Sequence, residues 1–344
     1  NWLDDSGPIV EPAIPQFMGH LDVGERRATR ADLAQWRTDV ENGAGGLTAR
    51  VFANRLWYLL FGVGISQSLD DLGGQGEPPV HPQLLDNLAV EFYESGWDIK
   101  HLMKTMVMSR AYRQSSLVSA ELRERDPYNR LYARQSRYRL PAEMIRDSSL
   151  AIAGLLVEDV GGGSVKPYQP SGYYRHLNFP QRKYQMHEDV RQWRRGVYVH
   201  WQRQFLHPML KAFDAPTREE CTAERPRSNT PLAALALLND PTFVEAARVF
   251  AERMVTGGGE SDAARLEFAF LQAVSRKPDR KEQQLLQALL DESRQRYRRA
   301  PEEAQRLIQT GLAPTDEQIN AIELASWTAV ARATLNMNET ITRN

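Results

Sequence analysis

Three residues of this chain are placed to accept a proton in a reaction: His200, His207 and Asp214, all within fifteen positions. Any one of the three could serve as the general base. Around them the sequence sets aromatic and polar side chains. Tyr173, Tyr174, Arg175, His176 and Asn178 come before, Tyr198, Trp201 and Arg203 beside, and Arg218, Glu219, Arg227 and Asn229 after. Such a mixture suits a carbohydrate or similar polyhydroxylated ligand. The rings would stack on its apolar faces and the polar groups would fix its hydroxyls. An internal clamp is the competing reading. In it Arg218, Arg225 and Arg227 pair with Asp214 and Glu219 and pin the helix begun by Thr230 and Pro231, fixing geometry without adding much stability.

Other chemistries find less support. No His-x-x-x-His or Glu-x-x-His pair falls on a helix, so no metal ligands are assigned; a His/Asp cluster assembled by tertiary folding, with His176 or His187, stays open. The single cysteine, Cys221, excludes an intrachain disulfide, a Cys-x-x-Cys-His haem attachment and any multi-thiolate site, so no cofactor is expected within the chain. Glu219 and Glu220 oppose the thiolate that Arg218 and Arg225 would favour, and Cys221 reads as a small apolar residue. There is no Gly-x-Ser-x-Gly elbow and no phosphate-cradling glycine loop. The carboxylates Glu143 and Asp147 share a helix face and read as partners for Arg134, Arg137 and Arg139.

The formal net charge of -1 gives no field that would recruit nucleic acid or an anionic membrane. No apolar run approaches the roughly 18 residues of a membrane span. Only seven of the 43 basic residues are lysine; the rest are arginine, the planar and always-charged choice for fixed ion pairs. The opening "NWLDDSG" has no initiator Met and no signal peptide, and it reads as the start of a fragment or a processed product.

The elements that must position these groups are mainly α-helical. Residues 1–28 are rich in Pro and Gly and read as an extended arm. A helical block over 29–157 follows, with helices capped by Thr29, Thr48 and Asp98 and opened by Pro82 and Pro141. In its second helix, 47–62, Val51, Leu56, Leu59 and Leu60 form the expected core face. Residues 158–230 lack helical period but carry too many aromatics for disorder, and loops of that length in a compact domain are functional. "GVYVHW" (196–201) is the one expected strand. A second helical block spans 231–344, with caps expected at Thr230, Ser261, Asp279 and Thr315.

Several long motifs carry a resemblance. "LTARVFANRLWYLLFG", "GEPPVHPQLLDNLAVEFYESGWDIKHLMKTMVMSRAYRQSS", "RLPAEMIRDSSLAIAGLL", "RRGVYVHWQRQFLHPMLKAFDAPTREECTAERPRSNTPLAALALLND" and "LNMNETITRN" together resemble the planctomycete cytochrome-c-associated domain of unknown function, of the PSD type. The resemblance covers nearly the whole chain from residue 29. It implies the C-terminal part of a large exported protein, periplasmic or extracellular. It also implies a c-type cytochrome partner, with haem c on that partner or on an N-terminal module. It brings no established activity and no catalytic residues. Two functions are therefore expected. One is the substrate-facing part of a cytochrome-linked oxidoreductase acting on carbohydrate or a similar compound. The other is a non-catalytic binding or assembly module.

Overall fold

A computed structural model describes residues 7–176 and 183–343. The protein is mainly α-helical, with thirteen helices among the described residues. They are α1 (Arg30–Thr38), α2 (Gly45–Phe61), α3 (Pro82–Glu94), α4 (Ile99–Met108), α5 (Ala120–Arg125), α6 (Ala142–Ala153), α7 (Pro208–Ala212), α8 (Pro231–Asn239), α9 (Pro241–Gly257), α10 (Asp262–Val274), α11 (Arg280–Arg299), α12 (Pro301–Ile308) and α13 (Ala321–Leu335). Two compact units divide at Arg137 and Tyr138.

In the first unit α2 packs against α3 and α4. Its buried stripe is Ala49, Ala53, Trp57 and Phe61, spaced four apart so that all four share one helix face. Trp57 and Phe61 stack with ring centroids 3.9 Å apart, and Tyr132 meets both edge-on. This corrects the face expected from sequence. Val51 and Leu59 are exposed, because the stacked aromatics bury more surface than branched aliphatics and set the helix's rotation. Caps behave as their chemistry dictates. Asp98 accepts from the N–H groups of Lys100 and His101, and the Asp32 carboxylate accepts from the N–H and hydroxyl of Thr29. Neither Thr48 nor Thr315 is a cap: α2 begins at Gly45, and Asn320 caps α13.

The second unit is built on α9 and α13. Alanines at 246, 247, 251, 325 and 331 let the helices approach, and Phe250, Met254, Leu324 and Trp327 fill the space between them and α6, α10 and α11. The sheet is small. Strand β1 (Tyr138–Arg139) pairs antiparallel with β2 (Thr342–Arg343), joining the two ends of the unit.

Between α6 and α8 the described chain is irregular apart from α7 and three short 3-10 turns. The expected strand at 196–201 is absent: Gly196–Tyr198 is a 3-10 turn, and Val199 makes one isolated bridge to Val165. The reason lies in α6. Asp147 takes the Gly196 N–H at 2.7 Å, and a Cβ on Gly196 would collide with Glu143, so the segment's start is bonded to a helix side chain and its pairing stops at the two bonds that Tyr198 and His200 make with Val165.

Three buried polar side chains hold this irregular segment in place. Arg146 of α6, fully buried, donates to the carbonyls of Gln192 and Arg194. Gln192 donates to the carbonyls of Lys166 and His187 and accepts from the Tyr168 N–H at 3.1 Å. Glu245 of α9, also fully buried, accepts from the Tyr168 hydroxyl and the Trp193 indole, each at 3.0 Å. The same carboxylate accepts from the N–H groups of Leu312 and Ala313 at 2.6 and 2.7 Å. Gly311 is required there, since its φ is +97° and a Cβ would strike the Glu245 carboxyl. Arg248, one helical turn on, takes the carbonyls of Ala313 and Pro314. Replacing Glu245 with Ala strips four buried or part-buried donors of their acceptor. The expected loss is about 3–5 kcal/mol of unfolding free energy, read from urea melts, whereas Glu219→Ala at an exposed position should change less than about 0.5 kcal/mol.

Candidate functional site

The residues singled out from sequence separate into several places. Asp214, held at φ +61°, accepts from the Ser228 N–H at 2.7 Å and from the Ser228 hydroxyl, closing the 214–228 loop upon itself. Arg225 pairs with Glu143 of α6 at 2.7 Å. Arg218 lies 3.8 Å over the Trp201 ring and Arg227 4.6 Å over Tyr138. The anticipated clamp thus has different partners: one ion pair to α6 and two guanidinium–ring stacks, in which a weakly hydrated planar cation matches an aromatic face. Glu219 is exposed, with its N–H donated to the Thr217 hydroxyl. Asn229 accepts from Arg139 at 3.4 Å.

Of the aromatics, Tyr198 lies under Arg194 at 4.0 Å, and its hydroxyl accepts from the Gly161 N–H. Tyr173 donates to the Leu206 carbonyl at 2.9 Å and packs with Tyr174 and Phe205. Tyr174 in turn meets Tyr184 edge-on. Arg175 and His176 are exposed and contact each other, and Arg203 is exposed in the 3-10 turn Arg203–Phe205. Asn178 lies outside the described residues. His200 is half-buried, its N–H bonded to the Val165 carbonyl at 2.7 Å.

His207 is the most perturbed of the set. It is 2% exposed, and its Nε2 lies 2.7 Å from the Tyr168 carbonyl, so that nitrogen carries the hydrogen. The lone pair of Nδ1 has no protein partner. Burial pushes the imidazole pKa down to about 4, against the opposing pull of the Tyr168 carbonyl. So weak a base, sealed from solvent, is poorly suited to take a substrate proton near neutrality. Asp214 and His207, two of the three alternative proton acceptors, are committed to different partners. Among the described residues no group of three or more His, Cys, Asp or Glu could hold a metal ion.

What the irregular segment does shape is an apolar cleft of about 480 Å³. Tyr168 and Pro170 form one wall, Met186 and Met209 another, and Leu232 and Leu235 of α8 the third. Tyr168 is fixed at every polar atom: hydroxyl to Glu245, N–H to Gln192, carbonyl to His207. Burial pushes the Tyr168 phenol well above its ordinary pKa, with the Glu245 charge and hydrogen bond adding to that, so it stays neutral. Asp240, at the rim, caps α9 through the Thr242 N–H, and burial raises its pKa. Tyr168 is one of the aromatics that the sequence sets in the 158–230 segment. The available signal was charges set among small and apolar residues on helix faces, Arg146 in α6 and Glu245 with Arg248 in α9, whose burial implies polar partners from elsewhere.

His207 also makes a pH test. Unfolded, it takes a proton with an ordinary pKa near 6.5; folded, it resists until about 4. Its contribution is therefore whole above 6.5 and drains away as pH falls towards 4. The difference is about 3 kcal/mol. Unfolding free energies measured between pH 7 and 4 should fall less steeply in His207→Gln, whose amide still donates to the Tyr168 carbonyl, than in the wild type.

No helix among the described residues is long and apolar enough to cross a membrane. No curated protein and no solved structure matches the chain. A family model matches residues 29–290, about three quarters of the sequence. The chain belongs to that family, PSD1, described as a protein of unknown function (DUF1553).

Proposed function

We propose that this protein is a binding module whose working surface is the apolar cleft between Tyr168, Met209 and α8, and that the cleft receives an apolar group of its ligand. The observation that carries this reading is the fixation of Tyr168. A Tyr168 whose own polar atoms are all bonded inward turns its ring into a preformed wall of the cleft, and preformed sites bind without an ordering cost. The oxidoreductase alternative draws less support. Two of its expected sugar-stacking faces, Trp201 and Tyr198, already carry arginines, and Asp214 and His207 have separate partners. A planctomycete source, an exported location and a c-type cytochrome partner bearing the haem rest on the sequence resemblance, and we propose them on that ground alone. A binding module is compatible with such a partner.

The test is titration with the fluorescent apolar probe 1-anilinonaphthalene-8-sulfonate. The folded protein should bind it saturably, and Ala236→Trp, which fills the cleft from the half-buried α8 wall, should weaken binding at least about tenfold with helix content unchanged. Equal binding by that variant overturns the reading. Dye-coupled oxidation of sugars that is lost in Asp214→Asn would restore the oxidoreductase.

A further inference from the structure

Charge is unevenly spread along the first unit. Residues 1–98 hold six Lys and Arg against fifteen acidic residues, whereas residues 99–137 hold nine against three, and seven of those nine are arginine. The basic stretch folds into a lobe of its own. The Gln135 N–H donates to the Ser115 carbonyl at 3.0 Å and its side-chain amide to the Tyr112 carbonyl at 3.1 Å, while the Gln114 amide reaches the Tyr132 carbonyl at 2.8 Å. Residues 112–115 therefore lie alongside 132–135, with α5 between them in the chain. The buried Asp126 carboxylate is taken up by the N–H groups of Arg130 and Leu131, and Arg130 pairs with Glu77 at 3.0 Å. The exposed side chains Arg110, Arg113, Arg123 and Arg125 are in no ion pair among the described residues. A lobe of about thirty residues has a radius of about 8 Å, close to one Debye length at physiological salt, so these guanidinium groups act as one positive field. The two exposed acids of α5, Glu121 and Glu124, leave the balance positive. Apolar side chains stand among the arginines: Leu117 is 74% and Tyr128 82% exposed, and Met108 and Leu131 also face water.

We infer that this lobe is a docking surface for an acidic, partly apolar segment of another protein. A guanidinium fork meets a carboxylate through two hydrogen bonds at once, which a lysine cannot do. Arginine, methionine and tyrosine with little lysine is also the composition that sets protein interfaces apart from the remaining surface. The exposed leucines and methionine call for apolar side chains opposite them, and a phosphate backbone carries none. A long polyanion or an anionic membrane would also feel the acidic excess of residues 1–98 in the same unit, which opposes it, whereas a short segment meets the lobe alone. The bonds from Gln114, Gln135 and Asp126 hold the lobe's backbone in place beforehand, so little ordering cost falls on the bound state.

The probe is a dye-labelled peptide of about twelve residues, glutamate with leucine at every fourth position, and fluorescence anisotropy follows its titration with the full chain. It should bind saturably at roughly 50 mM salt and at least about fivefold more weakly at roughly 200 mM. Arg110→Glu combined with Arg113→Glu should raise the dissociation constant at least about tenfold with an unchanged melting midpoint, since both side chains are exposed. Arg298→Glu combined with Arg299→Glu, an equally exposed pair on α11, should leave binding as it was. Leu117→Ser should weaken this peptide and leave an all-glutamate one unaffected. Absence of binding at low salt, equal losses in the two double variants, or a Leu117→Ser variant as tight as the wild type overturns the inference. Tighter binding of a DNA duplex or of phosphatidylserine vesicles than of the peptide also overturns it, in favour of that other partner.

Discussion

One carboxylate governs the architecture of the second unit. Glu245 gathers four donors from three separated stretches of chain: the Tyr168 loop, the 3-10 turn ending at Trp193, and the 311–313 turn after α12. None of these stretches has a regular hydrogen-bonding partner of its own. Without an acceptor at the centre, their buried N–H and O–H groups would be left unpaired, each at a cost of about 1–3 kcal/mol. Arg146 performs the reciprocal service, offering donors to carbonyls at 192 and 194. Long irregular backbone can lie against a helical core only if side chains of that core replace the missing ladder. Glu245 and Arg146 do so from opposite charge.

This division of labour explains what could be read in the sequence. Local chemistry was legible. Prolines 82 and 231 open helices, and Asp98, Thr230, Ser261 and Asp279 cap them, because a cap depends on a few consecutive residues, whereas α7 behind Pro208 lies in a stretch that reads as irregular. Helix faces were less so. The rotation of α2 was set by Trp57 and Phe61 meeting Tyr132, some seventy positions away. The strand at 196–201 failed for a similar reason: its pairing is limited to one bridge with Val165, while Asp147 offers the Gly196 N–H an acceptor. Propensity yields to whichever partner the fold supplies.

The candidate site shows the same limit more sharply. Composition pointed to aromatics and arginines in the middle third, and they do meet, but as stacks that satisfy one another: Arg218 on Trp201, Arg194 on Tyr198. The recess forms elsewhere, where methionines, prolines and leucines from 168 to 241 converge. Apolar residues of this kind carry no signature of function in a sequence, since the same types fill every core. Only their exposure distinguishes them, and exposure is a property of the folded chain.

The pairing of β1 with β2 has a kinetic meaning. Tyr138 faces Arg343, and Arg139 faces Thr342, so these few bonds bridge the longest sequence separation in the unit. Closing so large a loop is entropically costly until the intervening helices have condensed. During synthesis the β1 edge must therefore wait, bare, while roughly two hundred residues emerge from the ribosome.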